Sequence, residues 1–315
     1  MILEIHHETR LEYSSSVIES LTEVRMEPVS DDDQSVRSFY LSISPAAETH
    51  RFYDGFGNRV HHFNVLSSCQ EVRIVGASVV ETHPQVRQMA TSQAVYPLAE
   101  EDISLAARGF IAFRGPVSRS SLLEPLLSAI RARRGMPLAE LVMNTAAYIC
   151  SNFEYAKHVT LASSPIDDLL RERKGVCQDF THLLIALCRS FGIPARYVSG
   201  YVHRPNKESQ SHAWCEVWLP DLGWCGLDPT NDREVDGHFV KVATGRDFTD
   251  VPPNKGVYRG KADEQIFVRV ETRELDRLPS LAWQETLPTF EIPLTAINSG
   301  GRYRVDDVDP QHQQQ

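Results

Sequence analysis

The chain has 315 residues, 42% hydrophobic and 23% charged, and its 42 acids against 32 Lys and Arg give a formal net charge of −10. These proportions fit a folded chain of one large or two ordinary domains, and they exclude a disordered chain, a collagen-like repeat and a coiled coil. No apolar run approaches the roughly 18 residues of a membrane span, and the acidic balance disfavours nucleic acid as the main partner.

The chain opens on an alternating segment. Leu3, Ile5, His7, Thr9, Leu11 and Tyr13 share one face, and Glu4, His6, Glu8, Arg10 and Glu12 share the other, which predicts a half-buried strand. No basic region followed by an apolar one precedes it, so no secretory signal is expected. Further strand-like runs lie around residues 36–43, 60–66 and 72–80, with Asp54-Gly55-Phe56-Gly57-Asn58 as a turn between two of them. This punctuation predicts an antiparallel β-sandwich-like domain over residues 1–83. Residues 84–117 hold Pro84, Pro97, Gly109, Gly115 and Pro116 without a clear period, and read as a connection with one short helix.

Residues 118–275 read as a second, mixed domain. Pro137 suits a first helical position, and Leu138, Leu141, Val142, Thr145, Tyr148 and Ile149 form a helical stripe. Ser164-Pro165-Ile166-Asp167 predicts a short helix with a capping hydroxyl, ending near Gly175. A longer helix starts at Cys177, with Phe180, Leu183, Leu184, Leu187, Cys188 and Phe191 on its buried stripe and Gly192 just past its end. Strands are expected over 195–203, 212–219 and 224–228, the last two joined by Pro220-Asp221-Leu222-Gly223. Another alternates through Ile266, Val268, Val270 and Thr272. Beyond 276 the pattern fades, and the Gln-rich end is predicted to be disordered.

The chemistry concentrates between residues 164 and 231. In Gly175-Val176-Cys177-Gln178-Asp179-Phe180, the cysteine stands at a helix start, where unsatisfied N–H groups and the helix dipole favour a thiolate and can stabilise an oxyanion. A nucleophilic thiol needs a base and a group to orient that base. His212, at a strand start, and Asp228, at the end of the next strand, supply the types. If Leu219 pairs with Trp224, Asp228 faces Cys215, away from His212. If Trp218 pairs with Trp224, Asp228 faces Trp214 and lies diagonal to His212 on one face, within reach of a His–Asp hydrogen bond. A triad requires the second register.

At these residues the chain resembles the transglutaminase-like superfamily of cysteine-dependent acyl-transfer enzymes, and most of all the bacterial branch of transglutaminase-like cysteine proteases. The stretches that carry the resemblance are Gly175 to Phe180, Gly192 to Tyr201, Ser211-His212-Ala213-Trp214, Gly223 to Asn231 and Gly245 to Pro253, behind an N-terminal β domain. It implies an α+β fold with a papain-like transglutaminase core, Cys177 as nucleophile, His212 as base and Asp228 as its orienter. It also implies attack on a carboxamide or peptide carbonyl through an acyl-thioester. Tyr155 is the match for a second oxyanion donor upstream of the cysteine. The family's calcium requirement in animals finds no acidic loop here and is not carried over.

Around the triad, Asp179 stands as a helix-dipole or supporting group, and Trp214 and Tyr201 are candidates for the substrate cleft. The six cysteines form no C-x-x-C pair and read as free thiols in a reducing, cytoplasmic compartment. Cys215, Cys225, His203 and His212 match no zinc spacing, so neither metal nor cofactor is expected. The expected partner is a peptide or protein amide, with no nucleic acid and no membrane; the sequence sets no oligomeric state. Hydrolysis is the favoured outcome, with protein-glutamine transamidation or a non-enzymatic scaffold as alternatives.

Overall fold

The structure is a computed structural model, and it describes residues 1–83, 88–157, 159–160, 164–205, 210–278, 295–297 and 303–304. Six strands come first: β1 (Ile2–Val17), β2 (Glu19–Val24), β3 (Gln34–Ser44), β4 (Thr49–Tyr53), β5 (Arg59–Val65) and β6 (Cys69–Thr82). A short helix, α1 (Leu105–Arg108), lies in the connection. The core then runs through α2 (Glu124–Ile130), α3 (Leu138–Asn152), β7 (Glu154–Tyr155), α4 (Ile166–Glu172), β8 (Lys174–Gly175) and α5 (Cys177–Ser190). It continues with β9 (Ala195–Val202), β10 (Gln210–Leu219), β11 (Gly223–Asp228), β12 (Arg233–Glu234) and β13 (Phe239–Gly245). The chain then passes through β14 (Asn254–Arg259), β15 (Glu264–Leu275), β16 (Thr295–Ile297) and β17 (Tyr303–Arg304).

Among the described residues these strands form three five-stranded sheets, ordered β16-β15-β1-β6-β3, β17-β14-β2-β5-β4 and β12-β11-β10-β9-β13, and a two-stranded one, β7-β8. The α+β expectation holds, and the N-terminal region is rich in antiparallel strands. One boundary is corrected. The strand expected at 266–272 lies beside β1, with Val268 opposite Thr9 and Val270 opposite His7, so it completes the N-terminal sheet instead of extending the core. β14 does the same for the second sheet by pairing with β2. Residues 1–83 therefore do not close their sandwich alone. The expected disorder near the C-terminus concerns residues that, apart from 276–278 and two short strands, lie outside those described.

β1 serves two cores. Its second half places Leu11, Tyr13 and Val17 with Phe63, Ile74, Tyr258 and Ile266 between the two N-terminal sheets. Its first half places Leu3 and Ile5 against the cluster that includes α3 and α5. Where the two meet, His7 Nδ1 lies 2.7 Å from the Tyr201 hydroxyl on β9, both buried.

α5 is buried on nearly every side from Asp179 to Arg189, as suits a helix enclosed by a sheet and other helices. It packs on the face of β10 that carries Ala213, Cys215, Val217 and Leu219, while β10 turns Trp214 and Glu216 to the other face. Gly192 takes φ +75° just past the helix, as expected of its position. Pro137 and Pro165 sit at the N-cap of α3 and α4, each one residue before the first helical position expected of it.

Candidate active site

Cys177 is the first residue of α5, and the chain approaches it through Gly175, which β8 pairs with Tyr155 of β7. A Cβ at Gly175 would lie 2.8 Å from Asp179 Oδ2 and 2.9 Å from Leu169 Cδ1, so the tight approach requires glycine. Asp179 closes the helix start: its Oδ2 accepts the Val176 N–H at 2.8 Å and the Thr160 hydroxyl at 2.6 Å. It is thus a capping residue, aimed at the backbone before Cys177. Burial raises its carboxyl above the usual range, opposed by those hydrogen bonds. The Cys177 side chain is half-buried, and its carbonyl accepts the Thr181 hydroxyl at 2.8 Å.

The β10–β11 hairpin resolves the register. Trp218 pairs with Trp224 and Cys215 with Leu227, so Asp228 continues opposite Trp214, diagonal to His212. Gly223, at φ +81°, turns the hairpin. The His212 Nε2–H donates to Asp228 Oδ2 at 2.8 Å, and the other ring nitrogen is left for the Cys177 thiol, to which His212 is also hydrogen-bonded. Both partners are nearly enclosed, His212 at 6% and Asp228 at 0% exposure.

Asp228 is held from three directions. Beside His212, its Oδ2 accepts Asn231 Nδ2–H at 2.6 Å, and its Oδ1 accepts the Thr230 N–H at 2.9 Å. Asn231 had no assigned role in the sequence; the signal was the side-chain amide three residues past an Asp-Pro turn. Burial alone would raise the Asp228 carboxyl, yet the hydrogen bond and charge of His212 leave it below its usual value. Burial likewise works against a charged His212. The Asp228 hydrogen bond, then the hydrogen bond and charge of Cys177, overturn it and lift the imidazole to about 9.

Tyr155 stands 45% exposed at the mouth, its ring edge-on to Phe180 at 6.3 Å between centroids. Burial, and then the charge of Cys177, push its hydroxyl up to about 12, which places it within electrostatic reach of the thiol. The two cleft candidates fall elsewhere. Trp214 is 0% exposed and lies beneath the site, its ring 6.4 Å from that of His212 and packed against Gly200 and Phe239. Tyr201, 3% exposed, docks the core on β1 through His7. Both are corrections with one cause: β9 and β10 are covered on both faces at these two positions, so Trp214 and Tyr201 are enclosed on whichever face they lie. Among the described residues, no three His, Cys, Asp or Glu side chains gather as metal ligands.

The comparisons fit this geometry. Residues 126–229 match the family model of the transglutaminase-like superfamily, and residues 3–81 that of the bacterial transglutaminase-like N-terminal region. The chain is 31% identical to an uncharacterized protein of Mycobacterium leprae, over 87% of this chain and 99% of that one. It is 28% identical to a protein-glutamine gamma-glutamyltransferase of Pseudomonas aeruginosa, over 36% of this chain and 19% of that one. The crystal structure of a candidate cysteine protease from Cytophaga hutchinsonii superposes with a TM-score of 0.73 at 25% identity, covering 89% of this chain and 93% of the other.

Proposed function

The chain belongs to the transglutaminase-like superfamily, and from that membership we propose a cysteine-dependent acyl-transfer enzyme that hydrolyses peptide or protein amides. The observation that carries this reading is the hydrogen-bonded line from Cys177 through His212 to Asp228. A thiol, an imidazole and a carboxylate in that order provide a nucleophile, a proton carrier and an orienting anion.

In this mechanism the Cys177 thiolate attacks the amide carbon, and the carbonyl electron pair moves onto oxygen. The resulting oxyanion meets the backbone N–H of Cys177 at the helix start and the Tyr155 hydroxyl. A hydroxyl pushed up to about 12 keeps its proton and remains a donor. Protonated His212 delivers its proton to the leaving nitrogen as the C–N bond breaks, which leaves an acyl-thioester. Neutral His212 then takes one proton from water, whose oxygen attacks the thioester and releases the carboxylic acid, which ionises in solvent, together with the thiolate beside protonated His212. Asp228 takes no proton; it fixes the ring orientation and stabilises the imidazolium.

Similarity to the Pseudomonas transferase motivates a second reading, in which an amine replaces water in the last step. The likeness to a candidate protease spans nearly the whole chain and that to the transferase only about a third of it, which favours hydrolysis. A glutamine peptide offered with a labelled primary amine separates the two. Hydrolysis gives mostly free acid, and transamidation gives mostly the amine adduct. If neither product forms over a range of amides and no acyl-enzyme accumulates, the non-enzymatic scaffold reading stands. Six free thiols support work in a reducing compartment.

A further inference from the structure

Arg204 stands half-buried, two residues past the end of β9. The pairing of β9 with β10 sets its place. Gly200 lies opposite His212 and Val202 opposite Gln210, so β9 leaves the sheet at the end that carries the imidazole. The next residue is still tied down, since the His203 N–H donates to the His238 carbonyl at 2.8 Å. Resting on the acyl-transfer reading above, we propose that Arg204 binds a carboxylate of the substrate, so that the scissile amide belongs to an acidic peptide.

Position, supply of acceptors and chemical type all point to that role. Arg204 shares the mouth with Tyr155. Burial and then the charge of Cys177 push the Tyr155 hydroxyl up, and Arg204 pulls against them with a larger effect than Asp179 or Asp228 has. The carboxylates around the thiol are already engaged. Asp179 caps α5 through Val176 and Thr160, Asp228 holds His212, Asn231 and the Thr230 N–H, and Glu154 pairs with Lys174 at 2.9 Å. Among the described residues, Arg204 has neither an ion-pair partner nor a hydrogen-bond acceptor. A guanidinium keeps its charge at every working pH, and its planar fork of N–H donors fits a carboxylate through two parallel bonds. A neutral substrate closing over it would strip its water and leave those donors unmet. The chain as a whole has a formal net charge of −10 and repels anions at long range, so recognition of an acid has to come from a cation beside the thiol.

The test reads alkylation of Cys177 in the full chain by mass spectrometry. The reagents are the N-iodoacetyl derivatives of glycine, β-alanine and γ-aminobutyric acid, each compared with its neutral carboxamide. The thiolate displaces iodide from the CH₂ carbon, so each reagent carries its carboxylate at a different reach from Sγ. For at least one reach, the acid is expected to react roughly tenfold faster than its carboxamide. Arg204→Gln should remove that preference while the carboxamide rate, which also reports that the variant is folded, stays within about twofold, and Arg204→Lys should keep part of it. Equal rates for acid and carboxamide at every reach, or a preference that survives in Arg204→Gln, would overturn the proposal. A parallel loss of both rates in Arg204→Gln would overturn it too, since the guanidinium would then do no more than balance the charge of the triad. The carboxamides separate this failure from that of the underlying reading. If Cys177 reacts with them no faster than Cys69 and Cys150, the acyl-transfer reading falls and the proposal with it; an activated Cys177 without a preference for acids counts against Arg204 alone.

Discussion

Cys177 and Cys188 stand eleven residues apart on α5, in opposite environments. Cys177 is half-buried at the helix start, beside His212. Cys188 is 1% exposed within the main core, and burial pushes its thiol up to about 12. The charge of Arg189 next to it lowers the thiol less than burial raises it, and Arg189 donates to the carbonyls of Phe110, Ala112, Ala195 and Arg246, clamping the helix end to two loops and the start of β9. Two histidines repeat the contrast. His212 and His182 are both buried, yet His212 rises to about 9 while burial, aided by the charge of Arg189, holds His182 at about 3. His182 accepts the Phe248 N–H at 3.1 Å and meets no carboxylate among the described residues, whereas His212 has Asp228. Burial is common to both; the partner decides which one can carry a proton in catalysis.

Substitution is the strongest way to break this contrast. Cys177→Ala or His212→Ala is expected to lower amide turnover by at least about 10⁴-fold, because members of such a unit fail together. Cys188→Ala should leave turnover intact. Comparable losses in Cys177→Ala and Cys188→Ala would dissolve the distinction. Asp228→Asn comes next, with turnover down roughly 10²- to 10³-fold, since the ring loses its anchor while the thiol and imidazole remain. Unaltered turnover would show that the His–Asp contact plays no part. Tyr155→Phe is smaller again, about ten- to a hundredfold in kcat with little change in KM, if its hydroxyl donates to the oxyanion.

The histidines also predict two pH effects of different sign. His212, raised from 6.5 to about 9, keeps its proton up to that range, so turnover should fall as pH rises through about 9. His182 and His7 are depressed from 6.5 to about 3 and about 4 by burial. The unfolded chain therefore binds protons that the folded one refuses. Their contribution to stability is complete above about pH 6.5 and is lost as pH falls towards 3, which thermal melts across that window would record. The smallest effect is on packing: Cys188→Ala should cost about 1–2 kcal/mol of stability by emptying a small part of the core.

Much of this was legible in the chain because local pattern and local chemistry coincide there. The stripe of α5, the glycine past its end and the alternation of β1 are short-range signals, and the structure keeps all three. β13 escaped notice because Phe239 to Gly245 are all buried and show no alternation. The pairing of β14 and β15 with strands 230 to 273 residues earlier leaves no local trace. At the site, residue type and order singled out Cys177, His212 and Asp228, and the hairpin left two registers of which the structure adopts one. Trp214 and Tyr201 were misplaced because strand alternation predicts which face a side chain takes, not whether another domain covers that face. Asp179 was seen at the helix start, but its hydrogen bonds to Val176 and Thr160 depend on the loop before it.

The account rests on the reactivity of one thiol, and reaction with iodoacetamide near pH 6, read residue by residue by mass spectrometry, tests it most directly. Cys69 and Cys150 are the fair comparators, since both are half-buried like Cys177, and burial raises both thiols above the usual value. Cys177 should be modified at least about tenfold faster than either, and His212→Ala should bring it down to their level. If Cys177 reacts no faster than Cys69 and Cys150, or keeps its advantage without His212, the thiol–imidazole pair does not activate this cysteine and the proposed chemistry fails.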